Sequence, residues 1–262
     1  SAAISSTVEV GKQTELKAFA GVINGILRNT TRKLEKKNIP EIPDNELDKI
    51  SFMESLPLWL VKDMVNWFGI EKTKDIANAF NKTPTLDLRV NSLKISIYQM
   101  IDEFNRNGIS AEPINSLSTG IVLKSKSRSI QKLPGYEEGK WFIQDRSSQW
   151  VATLLSPKQG EKILDLCSAP GSKTTHLAEL INDEGEIWAV DRSQKRLKKL
   201  HQNLERLNIN CVKTINYDAL KLLDIRPDFV NYFDKVLLDA PCSGIGTFSR
   251  NPDARWSLTY KK

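Results

Sequence analysis

Apolar positions along this chain recur in two rhythms. Between residues 13 and 37, Leu16, Phe19, Val22, Ile23, Ile26 and Leu27 return at three- and four-residue steps. That spacing predicts a helix with one buried stripe. Basic residues from Arg28 to Lys37 gather toward its C-terminus, where cations suit the helix dipole. Asn38 to Asp44 has two prolines and no period, and reads as a linker. Short helices are predicted over Leu58–Phe68 and Thr73–Phe80. Thr85–Val90 alternates like a half-buried strand, Ile95–Asn107 reads as a helix stopped by Gly108, and strands follow near Ile109–Pro113 and Gly120–Lys124. These elements predict a small α+β unit with a strand–helix–strand core.

From Trp141 the rhythm changes. Short apolar strands alternate with helices: Lys162–Leu166, then helix Lys173–Ile181; Glu186–Val190, then helix Ser193–Leu207; then Val212–Tyr217 and Lys235–Leu238. Leu197, Leu200, Leu204 and Leu207 form the buried face of the second helix. The alternation predicts a parallel, doubly wound α/β sheet. Such sheets bind ligands at the carboxyl ends of their strands. Asp165, Asp191, Asp218 and Asp239 fall at or near the ends of four successive strands.

Composition narrows the class. The chain has 262 residues, 40% hydrophobic and 27% charged, an ordinary globular balance. At about 150 residues per domain, the length asks for two units or parts of several. No apolar run reaches the ~18 residues of a membrane span, and no basic-then-apolar leader opens the chain. Three cysteines, Cys167, Cys211 and Cys242, form neither a disulfide framework nor a paired zinc pattern. We therefore expect a reducing, cytoplasmic setting, no metal and no membrane partner. The net charge of +6 permits nucleic-acid binding without establishing it.

The candidate chemistry lies at the strand ends. Cys167-Ser168-Ala169-Pro170-Gly171-Ser172 is a turn before a helix. Its Pro-Gly lets a ligand approach the backbone closely, and a helix N-terminus suits a carboxylate or phosphate. Lys173 adds a charge partner. Asp191 lies 20 residues past Gly171, the spacing at which an acid reaches ribose hydroxyls. With neither GxGxxG nor GxxxxGK[ST] present, a small adenosyl ligand with its own carboxylate fits better than a dinucleotide or a triphosphate. Asp239-Ala240-Pro241-Cys242 puts a thiol beside the same edge, a candidate nucleophile or helper.

Two segments carry a family resemblance. Ile163–Thr175 (ILDLCSAPGSKTT) and Lys235–Cys242 (KVLLDAPC) resemble the S-adenosylmethionine-dependent RNA cytosine-5 methyltransferases. Leu133–Leu155 resembles the segment leading into that family's catalytic domain, and Pro84–Leu93 (PTLDLRVNSL) its preceding RNA-binding subdomain. Gly21–Lys33 resembles the last helix of the NusB-like domain found in the bacterial Sun/Fmu branch, which acts on 16S rRNA. The fold implied is a Rossmann-like methyltransferase sheet, truncated at its C-terminus. A helical NusB-like remnant (1–40) and an α+β RNA-binding subdomain (41–140) precede the methyltransferase part (141–262).

The resemblance implies S-adenosyl-L-methionine as cofactor and a monomer acting on 16S rRNA. Cys167, Ser168, Ala169, Pro170, Gly171, Ser172 and Lys173 would wrap the methionine part. Asp191 would hold the ribose, Asp218 would lie near the adenine amino group, and Asp239 beside both cofactor and target cytosine. Ser168 stands where the family usually has Ala, and Ser172 where the bacterial branch usually has Gly; both are small enough to keep the turn. In these RNA enzymes a thiolate adds to cytosine carbon 6 and so activates carbon 5. That thiol sits in a Thr-Cys motif, and no Thr-Cys pair occurs here. Cys242 matches the second cysteine, which assists product release. DNA cytosine methyltransferases attack from a Pro-Cys at this place, but their cofactor motif is Phe- and Gly-rich, unlike LDLCSAPGSK. Lys124, Lys126, Arg250 and Arg255 are candidate RNA contacts, the last two beside Trp256 for stacking. His176 reads as packing. The expectation is that these 262 residues are a fragment whose Thr-Cys lies beyond Lys262. The alternatives are a cofactor-binding RNA module without catalysis, or a tRNA cytosine-5 methyltransferase.

Overall fold

The computed structural model describes residues 2–35, 41–124 and 129–259. They divide into two compact units, residues 1–82 with 246–262, and residues 83–245.

The first unit is helical. Helix α1 (Ala2–Lys12) packs on α2 (Ala20–Glu35), with Gly11 close against Ile23. The stripe expected to be buried is largely exposed: Leu16 and Phe19, in the 3-10 turn before α2, and Val22 and Ile26 on α2 are each more than half accessible. The 3.6-residue period correctly predicts a helix, but period alone does not supply a partner for its apolar face. Helices α3 (Glu46–Glu54), α4 (Leu58–Phe68) and α5 (Ile70–Asn81) pack together over Leu56, Leu60, Val61 and Ala77. Asn45 caps α3, its side-chain oxygen accepting from the N–H groups of Leu47 and Asp48.

The second unit holds two sheets. Strands β1 (Leu86–Val90), β2 (Ala111–Pro113), β3 (Gly120–Leu123) and β4 (Trp141–Ile143) form an antiparallel sheet of order β2-β3-β1-β4. Helix α6 (Ile97–Arg106) starts in a Ser96/Gln99 capping box and buries Met100 and Phe104. Trp141 is fully buried beside them and pairs with Val90 across the β1–β4 ladder. The expected division at residue 140 therefore cuts through a sheet. The expected 41–140 segment is also divided between the two units at Lys82 and Thr83. A three-residue strand is too short to show a period, so its membership was set by long-range pairing.

Helix α7 (Arg146–Leu155) leads into the second sheet. Its strands are β5 (Lys162–Asp165), β6 (Glu186–Val190), β7 (Val212–Ile215) and β8 (Lys235–Leu237), all parallel, in the order β7-β6-β5-β8. Helices α8 (Ser172–Leu180) and α9 (Gln194–Leu207) complete its core with Leu177, Ile181, Leu197, Leu200 and Leu204. These strands and helices lie within a few residues of the sequence expectation. The order turns at β5, with β6 on one side and β8 on the other. That switch point is where a crevice opens at the carboxyl ends of the strands.

Candidate functional site

A cleft of about 320 Å³ opens at that switch point. One wall is the turn from Cys167 to Lys173 without Gly171, with Asp165 beneath; the other is Asp239 to Cys242. Local chemistry explains the turn. Gly171 has φ +104°, and a Cβ there would drive into the Leu200 side chain, so a glycine is required. Every carbonyl from Ser168 to Ser172 accepts a hydrogen bond. The Gly171 N–H donates to Ser168 O (2.8 Å), Arg196 to Ala169 O, and Asn203 to Pro170 O (2.9 Å). The Thr175 hydroxyl donates to Gly171 O (2.8 Å) and Arg89 to Ser172 O (2.7 Å). Gly171 is the N-cap of α8 and offers no side-chain acceptor to the helix's first N–H groups. An uncapped helix N-terminus in a cleft is an anion site.

Four acids were expected at strand ends, and they have different surroundings. Asp191 is buried under the turn, accepting from Ala169 N (3.2 Å) and Ser193 N (2.8 Å) and pairing with Arg196 (3.1 Å). Asp239 is half exposed and pairs with Lys173 at 2.8 Å. Asp165 is buried and accepts from the Thr174 hydroxyl (2.8 Å). Asp218 is exposed beyond β7, caps the turn at Leu220 (3.0 Å), and does not line this cleft.

Burial pushes the Asp165 carboxyl up to about 6, with the Asp239 charge adding to the effect. A carboxyl raised above its unfolded value contributes stability below pH ~4, and that contribution is lost as pH rises through about 6. Asp165→Asn keeps an acceptor for Thr174 without the buried charge. It is expected to be more stable than the parent above pH 7, by about 3 kcal/mol at most, with the gap closing as pH falls from about 6 to about 4. A differential scanning series across pH checks this; a gap independent of pH would contradict it. Burial also raises the Cys167 thiol, with Asp191 and Asp165 next in effect, so it stays protonated and is a poor nucleophile. Cys242 is exposed at the cleft's other wall.

Other expected contacts fall elsewhere. Arg255 is not an accessible RNA clamp. It is buried in the helical unit, donating to the carbonyls of Glu54, Phe80 and Phe248 and to Asn81. Arg250 belongs to that unit too and is exposed, as is Trp256. Lys124 is exposed on the antiparallel sheet and pairs with Glu112; Lys126 lies outside the described residues. His176 is buried, as its reading as packing requires. Sequence reasoning missed Arg196 as a cleft residue. Its signal was position: five residues after Asp191, in the first turn of α9, it reaches back to the strand end. Among the described residues no helix is long and apolar enough to cross a membrane, and no cluster of metal-binding side chains occurs.

Comparison with known proteins gives a consistent result. The family model described as 16S rRNA methyltransferase RsmB/F matches residues 152–262. The model of the RsmF/B-like ferredoxin-like domain matches residues 56–130. A probable ribosomal RNA small subunit methyltransferase B from Synechocystis sp. is 40% identical over 260 residues, covering 99% of this chain and 57% of the relative. One of the same name from Bacillus subtilis is 31% identical, covering 98% and 56%. A crystallised methyltransferase homolog protein from Pyrococcus horikoshii is 32% identical with a TM-score of 0.69, covering 80% of this chain and 67% of that one. The chain spans a little over half the length of the curated relatives it matches.

Proposed function

The chain belongs to the RsmB/F family of methyltransferases, and from that premise we propose that it holds S-adenosyl-L-methionine in the β5–β8 cleft, as part of an enzyme that methylates carbon 5 of a cytosine in 16S rRNA. The observation that carries this reading is the turn itself. Its five carbonyls are bound, and the uncapped start of α8 lies beside Lys173 and Asp239 at the cleft. These groups suit a ligand with a carboxylate at one end and a cationic centre next to it.

In this reading Ser172 and Lys173, at the start of α8, hold the methionine carboxylate. Asp191 holds the ribose, and Arg196 moves off it when the hydroxyls arrive. In this reading Asp218, exposed beyond β7 and outside the cleft wall, lies near the adenine amino group. When bound, the cofactor supplies an electrophilic methyl on a sulfonium. Asp239, paired with Lys173, orients the amino edge of the cytosine, and Cys242 assists release of the methylated base. Raised out of the thiolate range, Cys167 does not compete for the methyl group. In this reading Cys242 is not the attacking thiol, since the RNA enzymes this chain resembles attack from a Thr-Cys motif and no Thr-Cys pair occurs in these 262 residues.

The test is to incubate the chain with radiolabelled S-adenosylmethionine and unmodified 16S rRNA. Retention of the cofactor on the protein without methylation of the RNA is expected. Absence of cofactor binding would overturn the cleft assignment, and methyl transfer by these residues alone would overturn the role given to Cys242.

A further inference from the structure

Arg89 lies on β1 of the antiparallel sheet and is fully buried. A guanidinium has five N–H donors in a fixed fork. All five are used here, and four of them reach α8. Nε and one Nη2 hydrogen bond Glu179 at 2.7 and 2.8 Å; the other Nη2 hydrogen meets the Thr175 hydroxyl at 2.9 Å. Nη1 donates to Gln144, at the end of β4, and to Ser172 O at 2.7 Å. The Thr175 hydroxyl in turn donates to Gly171 O. One side chain from the first sheet thus fixes two successive carbonyls of the turn in the second, directly and through one hydroxyl.

An internal ion pair needs two donors at most. A structural salt bridge between Arg89 and Glu179 would be complete without Ser172 and Thr175, because a guanidinium binds a carboxylate through two parallel bonds. Of the three remaining donors one goes to Gln144 and two reach Ser172 O and the Thr175 hydroxyl, which donates to Gly171 O; the peptide units of those two carbonyls carry the Lys173 and Ser172 N–H groups at the start of α8. Rotating either unit would swing those N–H groups away from the cleft. We propose that Arg89 is a positioning residue, which sets the ligand-binding turn from the antiparallel sheet through Ser172 O and the Thr175 hydroxyl. This deepens the cofactor reading and rests on it. It also implies that a change in β1 is transmitted to the turn without contact with the ligand.

The experiment uses the full chain with S-adenosylhomocysteine as probe, by isothermal titration, and hydrogen exchange at the bonded amides of Ser168, Ala169, Gly171 and Thr175. Thr175→Val keeps shape and loses the hydroxyl; Thr175→Ser restores it; Arg89→Lys keeps charge but has three donors on one point. Thr175→Val and Arg89→Lys are expected to bind about tenfold more weakly and to lose protection within residues 168–175. Thr175→Ser is expected to match the parent in both readouts. A purely structural role would lower protection evenly along the chain and leave the affinity of the folded protein unchanged; that result overturns the proposal. So does parental behaviour of Thr175→Val, which remains informative if Arg89→Lys does not fold. If the parent itself fails to bind, the cofactor reading falls, while exchange at the turn still decides whether Arg89 and Thr175 position it.

Discussion

Replacing Asp191 with alanine is expected to weaken S-adenosylmethionine binding by about 100-fold. Its carboxylate accepts from two backbone N–H groups, one within the turn at Ala169 and one at Ser193 where α9 begins, and it holds Arg196. A hydrogen bond to a charged group contributes about 1.5–3 kcal/mol. Losing the Ala169 anchor together with the proposed ribose contact should therefore cost about 3 kcal/mol, a factor of roughly 100. Asp191→Asn separates the two effects: its carboxamide oxygen can still accept from one N–H, so it should bind more tightly than the alanine variant and less tightly than the parent. Isothermal titration of all three checks the order. Binding by Asp191→Ala equal to the parent would remove Asp191 from the site.

The second large effect is on stability. Glu179→Ala leaves Arg89 with two unpaired donors and a full charge in the interior, both side chains being almost inaccessible in the parent. Breaking a buried pair on one side costs about 3–5 kcal/mol, against a total stability of about 5–15 kcal/mol for a domain. Burial pushes the Glu179 carboxyl up while Arg89 pulls it down, so the pair is held by geometry against its desolvation cost. Glu179→Gln keeps one acceptor and loses the charge, and should fall between. Urea unfolding of the three proteins measures this. A loss below about 1 kcal/mol for the alanine variant would mean that water or another group takes over the guanidinium.

The parallel sheet was legible because its signal is repeated. Four short apolar runs each end near an acid, and α9 shows its buried leucines at helical spacing. The turn was legible as well, because Pro-Gly before a helix has few conformations open to it. Helix α3 and strand β4 were not legible. The first has a weak apolar face and is held by an Asn45 cap and its neighbours; the second has three residues. Arg255 and Arg89 were hard for the same reason. Arginine in a sequence reads as surface, and only a set of inward-facing carbonyls or a buried carboxylate makes an interior arginine tolerable.

What the sequence determined by itself was local. Strand and helix periods, the glycine the turn needs, and the spacing from Gly171 to Asp191 are properties of neighbouring residues, governed by backbone sterics and side-chain alternation. The tertiary structure decided which of those features meet. It placed Trp141 in the antiparallel core and left the α2 stripe open among the described residues. It buried Arg255 as a brace, brought Arg196 onto Asp191, and ran Arg89 from one sheet to the turn of the other. Each depends on contacts between residues far apart in the chain, whose burial and hydrogen-bond balance no local pattern encodes.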